Sequence, residues 1–275
     1  MSIRVLMFGW EFPPHILGGL GTASYGLTKG MSECGNMDIT FVIPKPWGDE
    51  DKSFAHIIGA CNTPIAWRDV SWEQVRDRLG RYMDPQEYFN LRDHIYADFN
   101  YMHLNDLGCI EFSGRYPDNL LEEINNYSIV AGVIARTYPC DVIHSHDWLT
   151  YPAGIHAKQV TGKPLVIHVH ATDFDRSRGN VNPTVYAIEK DGMNQADHII
   201  TVSNLTRKTV IEKYKELDNQ IIFTTTLKDE EMGKYDNRPE INHIDYKGHA
   251  PSKMLSPEYC EQFKQLVADF AFDIK

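Results

Sequence analysis

Short apolar runs recur along this chain, each followed by a stretch with the make-up of a helix. That alternation restricts the fold more than any other feature. The runs are Ile3 to Phe8 (IRVLMF), Asp38 to Ile43 (DITFVI), Asp141 to His144 (DVIH), Leu165 to His170 (LVIHVH), His198 to Val202 (HIITV) and Ile221 to Thr225 (IIFTT). Brief, continuous apolar segments suit strands covered on both faces. Between them, helices are expected over Thr22 to Met31, from Pro117 to about Tyr138 with Asp118 in the first turn, and over Tyr151 to Val160. Two more are expected, one opened by Asn182-Pro183 and running to Asn194, the other capped by Ser203 and running to Tyr214. Strands separated by helices imply βαβ units, hence an α/β domain with a mainly parallel sheet flanked by helices.

Two stretches break the alternation. Residues from about 44 to 115 hold much of the aromatic content and read as an insertion. A hairpin is expected around Ala55 to Ile65, and helices around Trp72 to Leu79 and Pro85 to Met102. Such aromatics either form a satellite core or stack on sugar rings; burial is the commoner fate of large rings. Residues 228–275 form a divergent tail, polar through Glu240, with one helix from about Pro257 to Phe272. The domain proper is expected over residues 1–227.

The balance of 27 Lys and Arg against 38 Asp and Glu gives a net charge of −11, which argues against nucleic acid and anionic membranes as main partners. A local basic pocket for a phosphorylated sugar is compatible with that charge. No apolar stretch approaches the ~20 residues of a membrane span. The N-terminus reads as a first strand, not a signal peptide. Five scattered cysteines without a Cys-x-x-Cys pair suit a reducing compartment, so the expected location is the cytoplasm.

In parallel α/β sheets, ligands bind beyond the carboxyl ends of the strands. That rule picks out Gly9 to Gly21, His144 to Trp148, His168 to Phe174, and Ser203-Asn204. The first contains Gly18-Gly19-Leu20-Gly21 between a strand and a helix, where unpartnered first-turn amides can hold an anion. It is neither Gly-x-Gly-x-x-Gly nor a Walker loop. The bland alternative is that the glycines only make a tight turn.

His144 and His146, and likewise His168 and His170, sit two apart, so each pair shares one face if its strand continues. Three readings stay open: groups for a polar substrate, metal ligands of the His-x-His kind, or buried side chains bonded to backbone. The further carboxylate and histidine ligands of such metal hydrolases do not recur at recognisable spacing, and no metal site is assigned.

The segments WEFPPHILGGLGTASYGLTKGM, DVIHSHDWLTYPAGIHAKQVTGKPLVIHVHATDFDRS and VYAIEKDGMNQADHIITVSNLTRKTVIEKY together resemble the N-terminal domain of retaining glycosyltransferases with the GT-B fold, in the glycogen/starch synthase group and its relatives. The resemblance covers about residues 1–215. It implies a single Rossmann-like domain facing a cleft, and transfer of glucose from ADP- or UDP-glucose to a glucan with retention. No cofactor beyond the nucleotide-sugar substrate is implied. Carried over by position, His170 and Asp147 would be the catalytic pair. Gly18, Gly19, Leu20, His146, Asp173, Arg176, Ser203 and Asn204 would bind substrate. Ile16 departs from the pattern, since glycogen and starch synthases usually carry a lysine there; this leans toward the broader group of related transferases.

The tail is too short for the second nucleotide-binding domain of such enzymes. The resemblance therefore implies a hexosyltransferase half that draws a C-terminal domain from another chain, or pairs with a second copy of itself. The alternatives are a non-catalytic glucan-binding or regulatory protein, and a metal-dependent hydrolase.

Overall fold

A computed structural model describes residues 2–33, 35–65 and 104–214, and the backbone of a strand at 221–223. Seven strands form one sheet: β1 (Ile3–Phe8), β2 (Met37–Ile43), β3 (His56–Gly59), β4 (Val142–His146), β5 (Leu165–Val169), β6 (His198–Thr201) and β7 (Ile221–Phe223). Every neighbouring pair is parallel, in the order β3-β2-β1-β4-β5-β6-β7. The described helices are α1 (Gly19–Glu33), α2 (Leu120–Thr137), α3 (Tyr151–Thr161), α4 (Asp173–Arg176), α5 (Pro183–Gln195) and α6 (Asn204–Lys213).

The order has one consequence for function. After β1 the chain builds outward to β2 and β3, then returns to the other side of β1 with β4. The loops leaving β1 and β4 therefore diverge, and a crevice opens between them at the carboxyl edge.

Both faces of the sheet are covered, which is why its strands read as continuous apolar runs. Leu6, Phe8, Ile143, Ile167 and Ile199 face one way and pack with Tyr127, Val130 and Ile134 of α2, Ile155 of α3, Met193 of α5 and Val210 of α6. Val5, Met7, Phe41, Val142, Val166 and Ile200 face the other way, where α1 contributes Leu27 and Met31. The Tyr127 hydroxyl reaches the carbonyl oxygens of Val42 and Gly9 at 2.8 and 3.0 Å, so α2 fixes the point where β1 ends. At Gly154 of α3 a Cβ would meet Ser145 Oγ at 2.1 Å; only glycine lets this helix lie so close to β4.

The alternation of strands and helices is as expected, with several corrections. The stretch around Ala55 to Ile65 is not a hairpin: His56–Gly59 joins the main sheet parallel to β2, and a single 3-10 turn, Ala60–Asn62, follows. The sheet thus extends into the stretch read as an insertion from residue 44. Ile65, Ile110 and Phe112 also pack into the main core rather than a satellite. α2 starts at Leu120 rather than Pro117, because residues 118 and 119 form a turn whose Asn119 carbonyl accepts from the amides of Glu122 and Glu123. α1 starts at Gly19, so the second glycine of the pair lies inside its first turn. The expected helices at Trp72 to Leu79, Pro85 to Met102 and Pro257 to Phe272 lie outside the described residues.

Candidate functional site

The crevice at the β1/β4 switch is a cavity of roughly 720 Å³, within the size range of small-molecule sites. Of the residues expected to bind, Gly18, Gly19, Leu20, Asp147, His170, Arg176 and Ser203 line it. Four loops far apart in sequence thus converge. His146, Asp173 and Asn204 do not line it. His146 is buried beneath His170; Asp173 turns its carboxylate to the amide of Asn182 at 2.6 Å; Asn204 opens α6, exposed. Tyr116 lines it from outside the segments that the sequence picked out; Glu11, Trp148 and His168 line it from inside those segments, though the resemblance gave them no role.

On the β1 side the wall is mostly backbone. Glu11 is buried, and its carboxylate accepts from the amides of Leu17 at 2.9 Å and Gly21 at 3.1 Å. An internal anion thus occupies part of the α1 N-terminus, the place expected for a phosphate. Among the described residues nothing accepts from the amides of Gly19 and Leu20. Among the described residues a Cβ on Gly19 would meet nothing within 4 Å, and one on Gly18 only Glu11 Oε1 at 3.9 Å. Neither has positive φ. Neither steric crowding of a Cβ nor positive φ accounts for the glycine pair among the described residues. Gly21 differs, since a Cβ there would lie 2.3 Å from Ile16 Cγ2.

On the β4–β5 side the wall is a polar network. Asp147 follows β4 with φ of 58°, in the left-handed region that Asp tolerates better than most side chains. Its amide donates to the carbonyl of His168 at 3.0 Å. Its carboxylate accepts from the His170 amide at 2.8 Å and from the Arg176 guanidinium at 2.5 Å. Asp147 is buried, whereas the Arg176 side chain is 37% exposed toward the cavity.

Arg176 is carried by the single-turn α4, which Thr172 and Asp175 cap reciprocally. Behind it lies Glu189 of α5, with an oxygen 3.7 Å from the guanidinium. Glu189 also accepts from the Asp173 amide and from the hydroxyl of Tyr214. Burial pushes the Glu189 carboxyl up to about 7, against the pull of Tyr214 and Arg176.

The four histidines form an array on the α1 face of β4 and β5. The sheet register sets His146 opposite His168. Rings two apart on a strand stack, with centroids 4.5 Å apart for His144 and His146 and 4.4 Å for His168 and His170. His146 Nδ1 and His170 Nε2 share a hydrogen bond at 3.0 Å. Burial pulls all four rings below the ordinary histidine range, holding them neutral near pH 7. Ligand nitrogens of His144, His146 and His168 lie within 4.8 Å of one another. No carboxylate joins that group among the described residues.

Among the described residues no helix is long and apolar enough to cross a membrane. A family model described as the starch synthase catalytic domain matches residues 4–222. A glycogen synthase of Mycobacterium tuberculosis is 24% identical over 216 residues, which make up 77% of this chain and 45% of that protein. An uncharacterized glycosyltransferase of Methanocaldococcus jannaschii is 22% identical over 224 residues, 80% of this chain and 45% of that one. The structure of sucrose-phosphate synthase from Thermosynechococcus elongatus aligns at a TM-score of 0.53 and 12% identity, over 82% of this chain and 48% of that one, a likeness of fold. The chain spans less than half the length of each of these relatives.

Proposed function

The chain belongs to the starch synthase catalytic-domain family, and from that premise we propose that it forms one wall of a cleft that transfers glucose from ADP- or UDP-glucose to a glucan with retention. One observation carries the reading: Gly18-Gly19, Asp147, His170, Arg176 and Ser203 meet in one cavity at the β1/β4 switch. The glycine pair admits the donor's diphosphate and sugar against bare backbone. His170 faces the transferred sugar, with its amide and ring held in place by Asp147 and His146. Asp147 and Arg176 fix the polar rim that meets sugar or acceptor hydroxyls.

Charge sets what this wall leaves to others. Among the described lining residues Arg176 is the one cation, and the carboxylates of Asp147 and Glu11 accompany it. Leaving-group stabilisation needs preorganised positive charge in a site closed to water. That role falls to a second domain, in the remainder of a longer polypeptide or on another chain.

Transfer of radiolabelled glucose to a glucan primer tests the reading, with ADP- and UDP-glucose as donors and the second domain supplied. Product formation that falls at least ~10-fold in His170→Ala is the expected result. No transfer and no nucleotide-sugar binding by calorimetry, with the second domain present, overturns it. The shortage of positive charge, with Tyr116 and Trp148 on the wall, favours one other reading: a glucan-binding protein without transfer. Retention on insoluble glucan without turnover supports that second reading.

A further inference from the structure

We propose that His144, His146 and His168 bind a first-row transition-metal ion of the zinc class beneath the cavity floor, tying β4 to β5. Three observations carry this. The ligand nitrogens of these rings lie within 4.8 Å of one another, drawn from two adjacent strands. Among the described residues, the Nε2 atom of His146 and both ring nitrogens of His168 are buried without a hydrogen-bond partner, an arrangement that polar groups seldom keep in a folded core. His168 also borders the cavity, so the three rings lie directly under its floor.

The chemistry of the donor set fits. Neutral imidazole suits zinc, nickel, copper and iron, and three histidines are a known zinc ligand count. A ligating histidine usually donates its other ring N–H to a fixed acceptor. His146 meets that condition: with Nε2 on the ion, Nδ1 carries the proton and donates to His170 Nε2 across 3.0 Å. The proton of neutral His170 is then held on Nδ1. Occupancy below the floor therefore sets the tautomer of a cavity-lining ring.

Binding requires movement. Imidazole nitrogens on a tetrahedral zinc stand about 3.4 Å apart, given bonds of ~2.0–2.1 Å. The rings must close by up to ~1.4 Å and turn out of their stacked planes. Among the described residues that turn breaks no hydrogen bond of His168, and the final torsion of a histidine is broad.

The ion site is tested without the transfer reaction. The full chain, free of any histidine tag, is stripped with chelator, equilibrated with Zn2+ or Co2+, and freed of excess metal. Stoichiometric metal by mass spectrometry is expected, with the visible absorption of tetrahedral Co2+. His168→Asn lowers affinity at least ~10-fold with an unchanged far-UV circular dichroism spectrum, whereas His56→Asn, at an exposed position, does not. Should His168→Asn fail to fold, imidazole nitrogen NMR of the wild-type chain decides: Zn2+ shifts the ring nitrogens of His168 and His146. A folded wild-type chain that takes up no metal overturns the proposal. So does uptake that leaves those nitrogens unshifted.

Discussion

The β1 wall of the cavity is bare backbone around an inward-turned carboxylate, whereas the β4–β5 wall is a closed polar network. A Cβ on Gly18 or Gly19 would meet almost nothing among the described residues, and the Glu11 carboxylate accepts from the amides of Leu17 and, inside α1, Gly21. Across the crevice, Asp147, Arg176, Glu189 and Tyr214 are linked to one another and to the backbone of β5 and α4. A substitution on the network side should therefore register first as lost stability. One at the glycine pair should register as lost binding with the fold intact.

Asp147→Ala breaks the network at its centre and carries the largest expected effect. It leaves the Arg176 guanidinium and the His170 amide without their carboxylate. Loss of one partner of a buried pair costs about 3–5 kcal/mol, and the partial exposure of Arg176 places this case at the lower end. Urea denaturation measures it, and a change below ~1 kcal/mol would show that the network is decorative.

Glu189 gives the same network a pH signature. Its carboxyl is raised from 4.5 to about 7 in the folded chain, so the folded state holds a proton that the unfolded state releases. The resulting stability is fully present below pH 4.5 and is lost as pH rises through about 7, a span worth roughly 1–3 kcal/mol. Glu189→Gln should flatten the stability curve across that window. Thermal melts between pH 5 and 8 show whether the variant curve keeps the wild-type slope, which would place the titration elsewhere.

Much of this was legible in the chain, and what was not has physical causes. The strands β1, β2, β4, β5 and β6 announce themselves because both faces are buried. β3 does not, since four residues pairing in parallel leave no turn signature and resemble half of a hairpin. The carboxyl-edge rule picked out the segments that bring Asp147 and His170 to the cavity because strand ends are fixed by the sheet, whereas Arg176, beyond those segments, was named only by the family resemblance. Asp173, in the same segment as His170, lies off the cavity, because the cap at Thr172 turns the first residue of α4 toward Asn182 and leaves Arg176, three positions on, facing Asp147. Glu189 sits on α5 and Tyr214 just past the end of α6, with no motif to mark them. Glu11 reaches its partners only after the loop has folded back on itself, a relation no local pattern records.

Gly21→Ala moves to the other wall. Its Cβ would meet Ile16 Cγ2 at 2.3 Å and Glu11 Cγ at 3.0 Å. Overpacking of that kind costs about 1–3 kcal/mol. It also presses on the carboxylate that caps α1, so chemical denaturation and nucleotide-sugar affinity should fall together.

Gly19→Ala is the sharpest contrast, because the smallest stability change accompanies a loss of binding. The position is helical with ordinary φ, and a Cβ there meets nothing within 4 Å, so stability should hold or rise by up to ~1 kcal/mol from helix propensity alone. The added methyl projects from a residue that lines the cavity, where the donor's phosphates are proposed to lie against backbone. Calorimetry with ADP- and UDP-glucose, with the second domain supplied, should show affinity reduced at least ~10-fold, about 1.4 kcal/mol. Unchanged affinity in a stable Gly19→Ala chain would mean that no ligand approaches this wall. The glycine pair would then be a vestige of the loop's turn, and the polar network opposite would be the whole of the site.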